Sequence, residues 1–418
     1  MGKTEKISAK PVRGARDILP DEMVVRDRLE QAILAIYRAH GFSRIETPAL
    51  ENIHLLLGSE GGDNLKMLFT ILKRGERLKI DKDSTVNDLC DMGLRYDLTL
   101  PLSRFYSNNA EQLEMPFKAI QIGNVFRAER PQKGRFRSFK QCDIDIIGDP
   151  TVAAEMELIT TTSKALMAIG FEGFVIKVND RKLLTSFIAA AGFKAEDVGS
   201  VCISLDKADK IGTDGVKAEL VEKGYDEAMV SAFVDEVATV TLDNIGDKVD
   251  DAQAVADLRR VIATVDKMAA GRYTIEFDFT LIRGMGYYTG QVFEVRYGTY
   301  GSSIAGGGRY DNMIGKYSKQ SVPAVGFSIG FERIVGILME DAAAQAGEVK
   351  RIALFHGAED DMAEVIAFAD GFRDQGYQVN LIAQKKKLGK QISTCEEQGY
   401  AGFMVYGRDE AIKGFDKE

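Results

Sequence analysis

Between Phe126 and Gly148 the chain reads FRAERPQKGRFRSFKQCDIDIIG, with Arg127, Arg130, Lys133, Arg135, Arg137 and Lys140 inside fourteen residues. Guanidinium grips phosphate and carboxylate two-pronged, so a face of fixed arginines suits multiply charged oxyanions. Two further stretches could do chemistry. In LRYDLTLPLSRF, Leu94 to Phe105, Arg95, Asp97 and Thr99 alternate. Read as a strand, they share one face, where a carboxylate and a hydroxyl can accept hydrogen bonds from an ammonium group. In RGMGYYTG, residues 283–290, paired tyrosines and one arginine sit in a glycine-broken loop. That combination suits a flat heteroaromatic ring beside a carboxylate. Each stretch alone has a plainer reading: a solvated basic hairpin, a strand-end cap at Asp97, a glycine hairpin with packed aromatics.

These residues need elements to hold them. Phe117 to Phe126 and Phe139 to Ile147 read as two strands joined through Pro131, Gln132, Lys133 and Gly134, a long polar hairpin. On the second strand Gln141 and Asp145 fall at even spacing and face the same way as Phe139. Met23 to His40 has apolar residues at helical spacing (Val24, Leu29, Ile33, Leu34, Ile36, Tyr37), with Asp21 as a cap and Gly41 as a stop. Ser43 to Glu51 reads as a short strand broken by Pro48, and residues 66–80 as two strands around Lys73 to Glu76. Pro150 to Ala168 reads as a helix with Glu155 and Glu157 opposite its apolar stripe. Phe174 to Asp180 is a strand. From 183 to 268, short helices are punctuated by Gly192, Gly212, Gly224 and Gly246. Their best apolar stripe is Val255, Leu258, Val261, Ile262, Val265 and Met268.

In SSIAGGGRYDNMI, Ser302 to Ile314, consecutive glycines permit close approach to a ligand. The pattern is neither a dinucleotide fingerprint nor a phosphate-binding P-loop. AVGFSIGFERI, Ala324 to Ile334, reads as a glycine-rich strand feeding a helix that carries Arg333. After 351, strand, helix, strand, helix, strand alternation predicts a small parallel sheet. Lys385, Lys386 and Lys387 fall at one of its turns.

Composition narrows the class. The chain has 418 residues, 45% hydrophobic and 28% charged, enough for two or three domains. No apolar run of about 18 residues is present, so no membrane span is expected. The opening MGKTEKISAK lacks an apolar segment and reads as a tail. With 54 basic against 63 acidic side chains the net charge is −9, which argues against a protein that coats DNA or RNA without specificity. Four scattered cysteines and three scattered histidines predict no metal centre and fit a reducing cytoplasm.

The arginine hairpin resembles motif 2 of the class II aminoacyl-tRNA synthetases. Glu129-Arg130-Pro131-Gln132-Lys133-Gly134-Arg135 is similar to the histidyl branch in particular, and RGMGYYTG resembles that branch's first histidine signature, usually RGLDYYTG. The helix and Pro48 strand resemble motif 1, SSIAGGGRYDNMI the second histidine signature, and the Arg333 segment motif 3. The resemblance spans Arg13 to about Arg408. It implies an α+β fold: an antiparallel sheet of six or seven strands flanked by helices, a helical insertion, and a small α/β anticodon-binding-like domain. The expected boundaries are a tail to 12, catalytic segments 13–182 and 271–345, an insertion at 183–270, and the last domain at 346–418, shorter than usual at its end.

The resemblance also implies a reaction and roles. The activity is histidine–tRNA ligation, with L-histidine, ATP carrying Mg2+, and tRNA(His) as reactants, in a cytoplasmic homodimer that binds neither membrane nor DNA. Arg127 and Arg283 are the expected catalytic residues. Asp97, Thr99, Gln141, Asp145, Tyr287 and Tyr288 are expected on histidine, with Asp145 shorter than the family's usual glutamate. Arg127, Glu129, Arg135, Phe139 and Arg333 are expected on ATP; no metal ligand is expected from the protein. Gly286 stands where the family has aspartate, which bears on loop rigidity. The alternative is a non-catalytic relative, the histidine-sensing regulatory subunit of ATP phosphoribosyltransferase.

Overall fold

The computed structural model describes residues 8–58, 67–130, 135–282, 287–298, 302–318, 321–341 and 350–415. The chain divides into two compact units that meet at Met339/Glu340.

The larger unit is built on one sheet. Its strands are β1 (Ser43–Arg44), β5 (Phe117–Phe126), β6 (Ser138–Ile147), β7 (Val175–Asp180), β8 (Thr274–Phe277), β9 (Gln291–Arg296), β10 (Ala305–Arg309) and β11 (Ala324–Ile329). The spatial order is β1-β5-β6-β11-β10-β9-β7-β8. The six inner strands pair antiparallel, while the edge strands β1 and β8 pair parallel to their neighbours. The sheet therefore has eight strands among the described residues, rather than six or seven. Alternate residues from the inner strands form an apolar core: Ile144, Ile146, Ile176, Val178, Phe293, Val295, Val325 and Phe327 are buried. Against it pack the helices Pro20–Ala39 and Ala153–Ala168. Burial at roughly 1.5–3 kcal/mol per large apolar side chain makes this the main stabilising term.

Several local expectations change. The first helix begins at Pro20, whose missing N–H suits a first turn, and Asp21 lies inside that turn instead of capping it. Val24 is exposed. A second, three-stranded sheet joins β2 (Leu50–Asn52), β4 (Cys90–Leu94) and β3 (Thr70–Leu72), so the partner of β3 is residues 90–94 and not 78–80. After β4 the chain does not stay extended: Thr99–Asn109 is a helix, and the strand face expected for Arg95, Asp97 and Thr99 does not form. The Asp97 carboxylate is what turns it, accepting the Leu100 N–H at 3.1 Å. The three glycines 306–308 lie inside β10. There a Cβ on Gly307 would stand 1.9 Å from the Gly326 carbonyl oxygen.

The helices between Arg181 and Ala269 belong to the larger unit. Leu258, Val261 and Val265 join the same buried cluster as the sheet, whereas Met268 is exposed.

The smaller unit carries β12 (Arg351–His356), β13 (Gln378–Ala383), β14 (Gly402–Val405) and β15 (Lys413–Gly414), in the order β13-β12-β14-β15. The first three are parallel, as βαβ crossovers through Met362–Arg373 and Leu388–Glu397 require, and β15 is antiparallel. Lys385, Lys386 and Lys387 are exposed at the turn after β13.

Candidate active site

One face of the large sheet opens into a cleft of about 320 Å³, within the size range of small-molecule sites. Its floor is the odd-numbered register of β6. Phe139, Gln141, Asp143 and Asp145 all line it, because alternate residues of a strand share a face. Across the ladder, Ser328 of β11 stands opposite Asp143 and Gly326 opposite Asp145. A Cβ on Gly326 would lie 2.0 Å from Asp145 Oδ1, so the missing side chain is the space the carboxylate occupies.

Of the twelve expected site residues, eleven lie within the described residues and line this cleft. Arg283, together with Gly286, falls outside them, as do Pro131, Gln132, Lys133 and Gly134 of the hairpin tip.

The cationic wall comes from the hairpin. Arg127 Nε donates to the Tyr96 carbonyl at 3.0 Å, and its guanidinium lies 5.1 Å from the Phe139 ring centroid. One nitrogen is thereby committed to backbone, and the terminal nitrogens remain for an anion. Glu129 stands 4.0 Å from Arg127 and 3.6 Å from Arg135. Arg137 does something else: it donates to the Glu129 and Arg13 carbonyls and braces the hairpin. Arg333 donates to the Ser303 backbone carbonyl and to its hydroxyl.

The opposite wall is acidic and aromatic. Burial pushes the Asp97 carboxyl up to about 6, against the Leu100 N–H and the nearby Arg127. Among the described residues, Asp97 Oδ2 is buried without a partner, and so is Gln141 Oε1. Burial likewise lifts Asp145 to about 7, although the Tyr310 hydroxyl donates to it at 2.6 Å. Asp143 is raised well above the ordinary carboxylate range, first by burial and then by the charge of Asp145. Tyr287 packs 4.8 Å from Tyr288 and 6.1 Å from Tyr310, centroid to centroid. Thr99 opens the helix whose Leu100 N–H donates to Asp97. Unpartnered buried acceptors are costly, and a cleft that holds two is arranged for donors that the described residues do not supply.

Sequence reasoning missed four neighbours. Asp143 shares the parity of Gln141 and Asp145, so its place was open to the same alternation argument. Tyr310 and Ser328 reach the site only through strand order. Glu332 is held by Arg26 at 2.6 and 2.8 Å and accepts the Lys140 N–H at 3.1 Å, which ties the first helix to the start of the Arg333 helix. Glu155 does not face solvent: it pairs with Arg309 through two 2.6 Å bonds in the interior.

Comparison with known proteins agrees with this architecture. The histidyl-tRNA synthetase family model matches residues 14–334. A histidine–tRNA ligase of Leifsonia xyli is 39% identical over 425 residues, covering 97% of each chain. The crystal structure of a histidyl-tRNA synthetase from Nostoc superposes with a TM-score of 0.79 at 26% identity, covering 97% of this chain and 93% of that one. An ATP phosphoribosyltransferase regulatory subunit/histidyl-tRNA synthetase from Bacillus halodurans also reaches 0.79, covering 96% and 99%; at 20% identity it shows the fold alone. The sheet with its flanking helices is the class II aminoacyl-tRNA synthetase fold. Within that class, the chain belongs to the histidyl-tRNA synthetase family.

Proposed function

We propose that this protein is a histidine–tRNA ligase. The observation that carries the reading is the cleft itself. Two buried acceptors without partners, Asp97 Oδ2 and Gln141 Oε1, stand in the same space as an arginine wall. An amino acid presents both complements, an ammonium group and a carboxylate. The ammonium is taken by Asp97, Thr99 and Gln141. The imidazole lies against Tyr287 and Tyr288 with its N–H on Asp145, which needs an acceptor there because neutral imidazole has one N–H to donate.

The histidine carboxylate then attacks the α-phosphorus of ATP in line. The new O–P bond forms as the bond to the bridging oxygen breaks, and pyrophosphate leaves. No proton moves in this step, so alignment and charge stabilisation carry it. Arg127 holds the α-phosphate, Arg283 bridges it to the histidine carboxylate, and Arg135 and Arg333 take the γ end. Glu129 reads the adenine amino group and Phe139 stacks on the ring. In the second step a ribose hydroxyl of the terminal tRNA(His) adenosine attacks the acyl carbon, AMP leaves, and the hydroxyl proton is released.

Among the described residues no group of three His, Cys, Asp or Glu side chains could hold a metal ion. Magnesium arrives with ATP in this reading. The enzyme acts as a homodimer in the cytoplasm; among the described residues no helix is long and apolar enough to cross a membrane. The smaller unit, with exposed Lys385, Lys386 and Lys387, is read as the anticodon-binding-like domain.

The deciding experiment is histidine-dependent exchange of labelled pyrophosphate into ATP, with Arg283→Ala as control. Exchange that drops by on the order of 10³-fold in the control supports adenylate chemistry and the arginine's role. Folded protein that binds histidine but shows no exchange sinks the ligase and promotes the histidine-sensing regulatory subunit, whose fold is equally compatible.

A further inference from the structure

Asp143 is a buried carboxylate that the reaction above does not use. It lies between Gln141 and Asp145 on the cleft face of β6, with Ser328 directly across the ladder on β11. Its neighbour across the other ladder is Gln121 of β5, whose amide nitrogen is committed to the Leu98 carbonyl at 3.0 Å. Among the described residues, the side chains bonded to Asp143 are Gln141 and Ser328. The Gln141 Nε2 lies 3.3 and 3.5 Å from the two Asp143 oxygens and 3.4 Å from Ser328 Oγ. The Ser328 hydroxyl is also bonded to Asp143.

An amide side chain has two ends of opposite character: NH2 donates and C=O accepts. Which end faces a ligand is decided by what the other end can bond. A carboxylate offers only acceptors, so it fixes the NH2 of Gln141 toward Asp143 and Ser328. A protonated Asp143 carries a donor as well and keeps this arrangement only while its proton points away from Gln141, so the preference belongs to the carboxylate form. The opposite rotamer would set the Gln141 carbonyl against carboxyl oxygen. The amide oxygen left over is Oε1, the atom that is buried without a partner.

We infer that Asp143, with Ser328, is a positioning residue that fixes the Gln141 amide so that Gln141 serves as an acceptor for the α-ammonium group of the substrate. The inference rests on the histidine-site reading above. It makes Gln141 a selective contact: it rewards a ligand with an ammonium group and does nothing for one without.

The test compares two ligands by calorimetry. L-Histidinol keeps the ammonium and lacks the carboxylate; imidazole-4-propionate keeps the carboxylate and lacks the ammonium. Asp143→Asn is nearly isosteric but can donate, which releases the Gln141 amide to turn. It is expected to weaken histidinol about tenfold and to leave imidazole-4-propionate within about twofold. In pyrophosphate exchange the KM for histidine rises while the KM for ATP holds. In a Gln141→Ala background the same substitution costs nothing further, because Asp143 acts through that amide. Ser328→Ala, which keeps the carboxylate, shows the same selectivity at about threefold and serves if Asp143→Asn does not fold. Equal weakening of both ligands, or a loss that adds to that of Gln141→Ala, overturns the inference alone. Wild-type protein that binds neither ligand overturns the histidine-site reading and this inference with it.

Discussion

Two clusters of buried charge stand on the same sheet and are treated in opposite ways. Behind β10, the Arg309 guanidinium is saturated. It makes two 2.6 Å bonds to Glu155, reaches the Asp149 and Thr151 carbonyls at 3.1 and 3.0 Å, and meets Asp311 at 3.2 Å. Burial works against its charge, but Glu155 and Asp311 outweigh it and its pKa is raised. On the cleft face, Asp97, Asp143 and Asp145 are just as buried, yet they crowd one another. Burial raises their pKa values first, and the charges of neighbouring aspartates add to it at Asp143 and Asp145; among the described residues no cation forms an ion pair with them. A buried charge with every bond made is a fastener; buried acceptors left unmade are a place kept for a ligand. The difference lies in satisfaction, not in depth.

That contrast can be broken from either side. The largest effect is expected at the fastener. Glu155→Ala strands Arg309 in the interior and should cost about 4 kcal/mol of stability, read by urea unfolding. If that variant unfolds at the wild-type midpoint, the pair is not holding the helix Ala153–Ala168 to the sheet.

At the cleft the sign reverses. An aspartate titrates near 3.9 in an unfolded chain, and Asp97 at about 6 when folded. Folding therefore takes up a proton between those values. The stability associated with neutral Asp97 is fully present below about pH 4 and lost as pH rises through 6. Asp97→Asn should leave stability unchanged near pH 4 and raise it by about 3 kcal/mol at pH 8, while removing histidine binding. Thermal unfolding across pH 4–8 checks this. A variant destabilised at pH 8 would mean that the carboxylate is a structural cap and no more.

The smallest change sharpens the picture further. Tyr310→Phe deletes the hydroxyl that holds Asp145 down. The Asp145 pKa should move above its value of about 7. Histidine affinity at neutral pH should fall about tenfold, roughly the worth of one hydrogen bond to a charged group. An affinity that is unchanged would remove Asp145 from the imidazole contact.

Much of the molecule could be read from order and parity. The strands Phe117–Phe126 and Ser138–Ile147 are legible because polar and apolar residues alternate across them and a polar turn divides them. The same parity puts Phe139, Gln141 and Asp145 together, and applied without exception it would have included Asp143. The segment around Asp97 was misread because alternation of Arg95, Asp97 and Thr99 mimics a strand over a span too short to distinguish from a capped helix start. Glu155 was assigned to the outer face of its helix from charge alone.

What the sequence by itself determined is local and chemical. It holds the hairpin arginines, the acceptors at even spacing and the glycines that clear room, since residue type and strand period act within a few positions. What only the tertiary structure decided is which of these groups meet. Strand order brought Ser328 opposite Asp143, Gly326 against Asp145 and Tyr310 onto the same carboxylate. It also turned Glu155 inward to Arg309, 154 positions away along the chain. Whether a buried charge becomes a fastener or a binding site depends on partners supplied by distant strands, and no local pattern carries that.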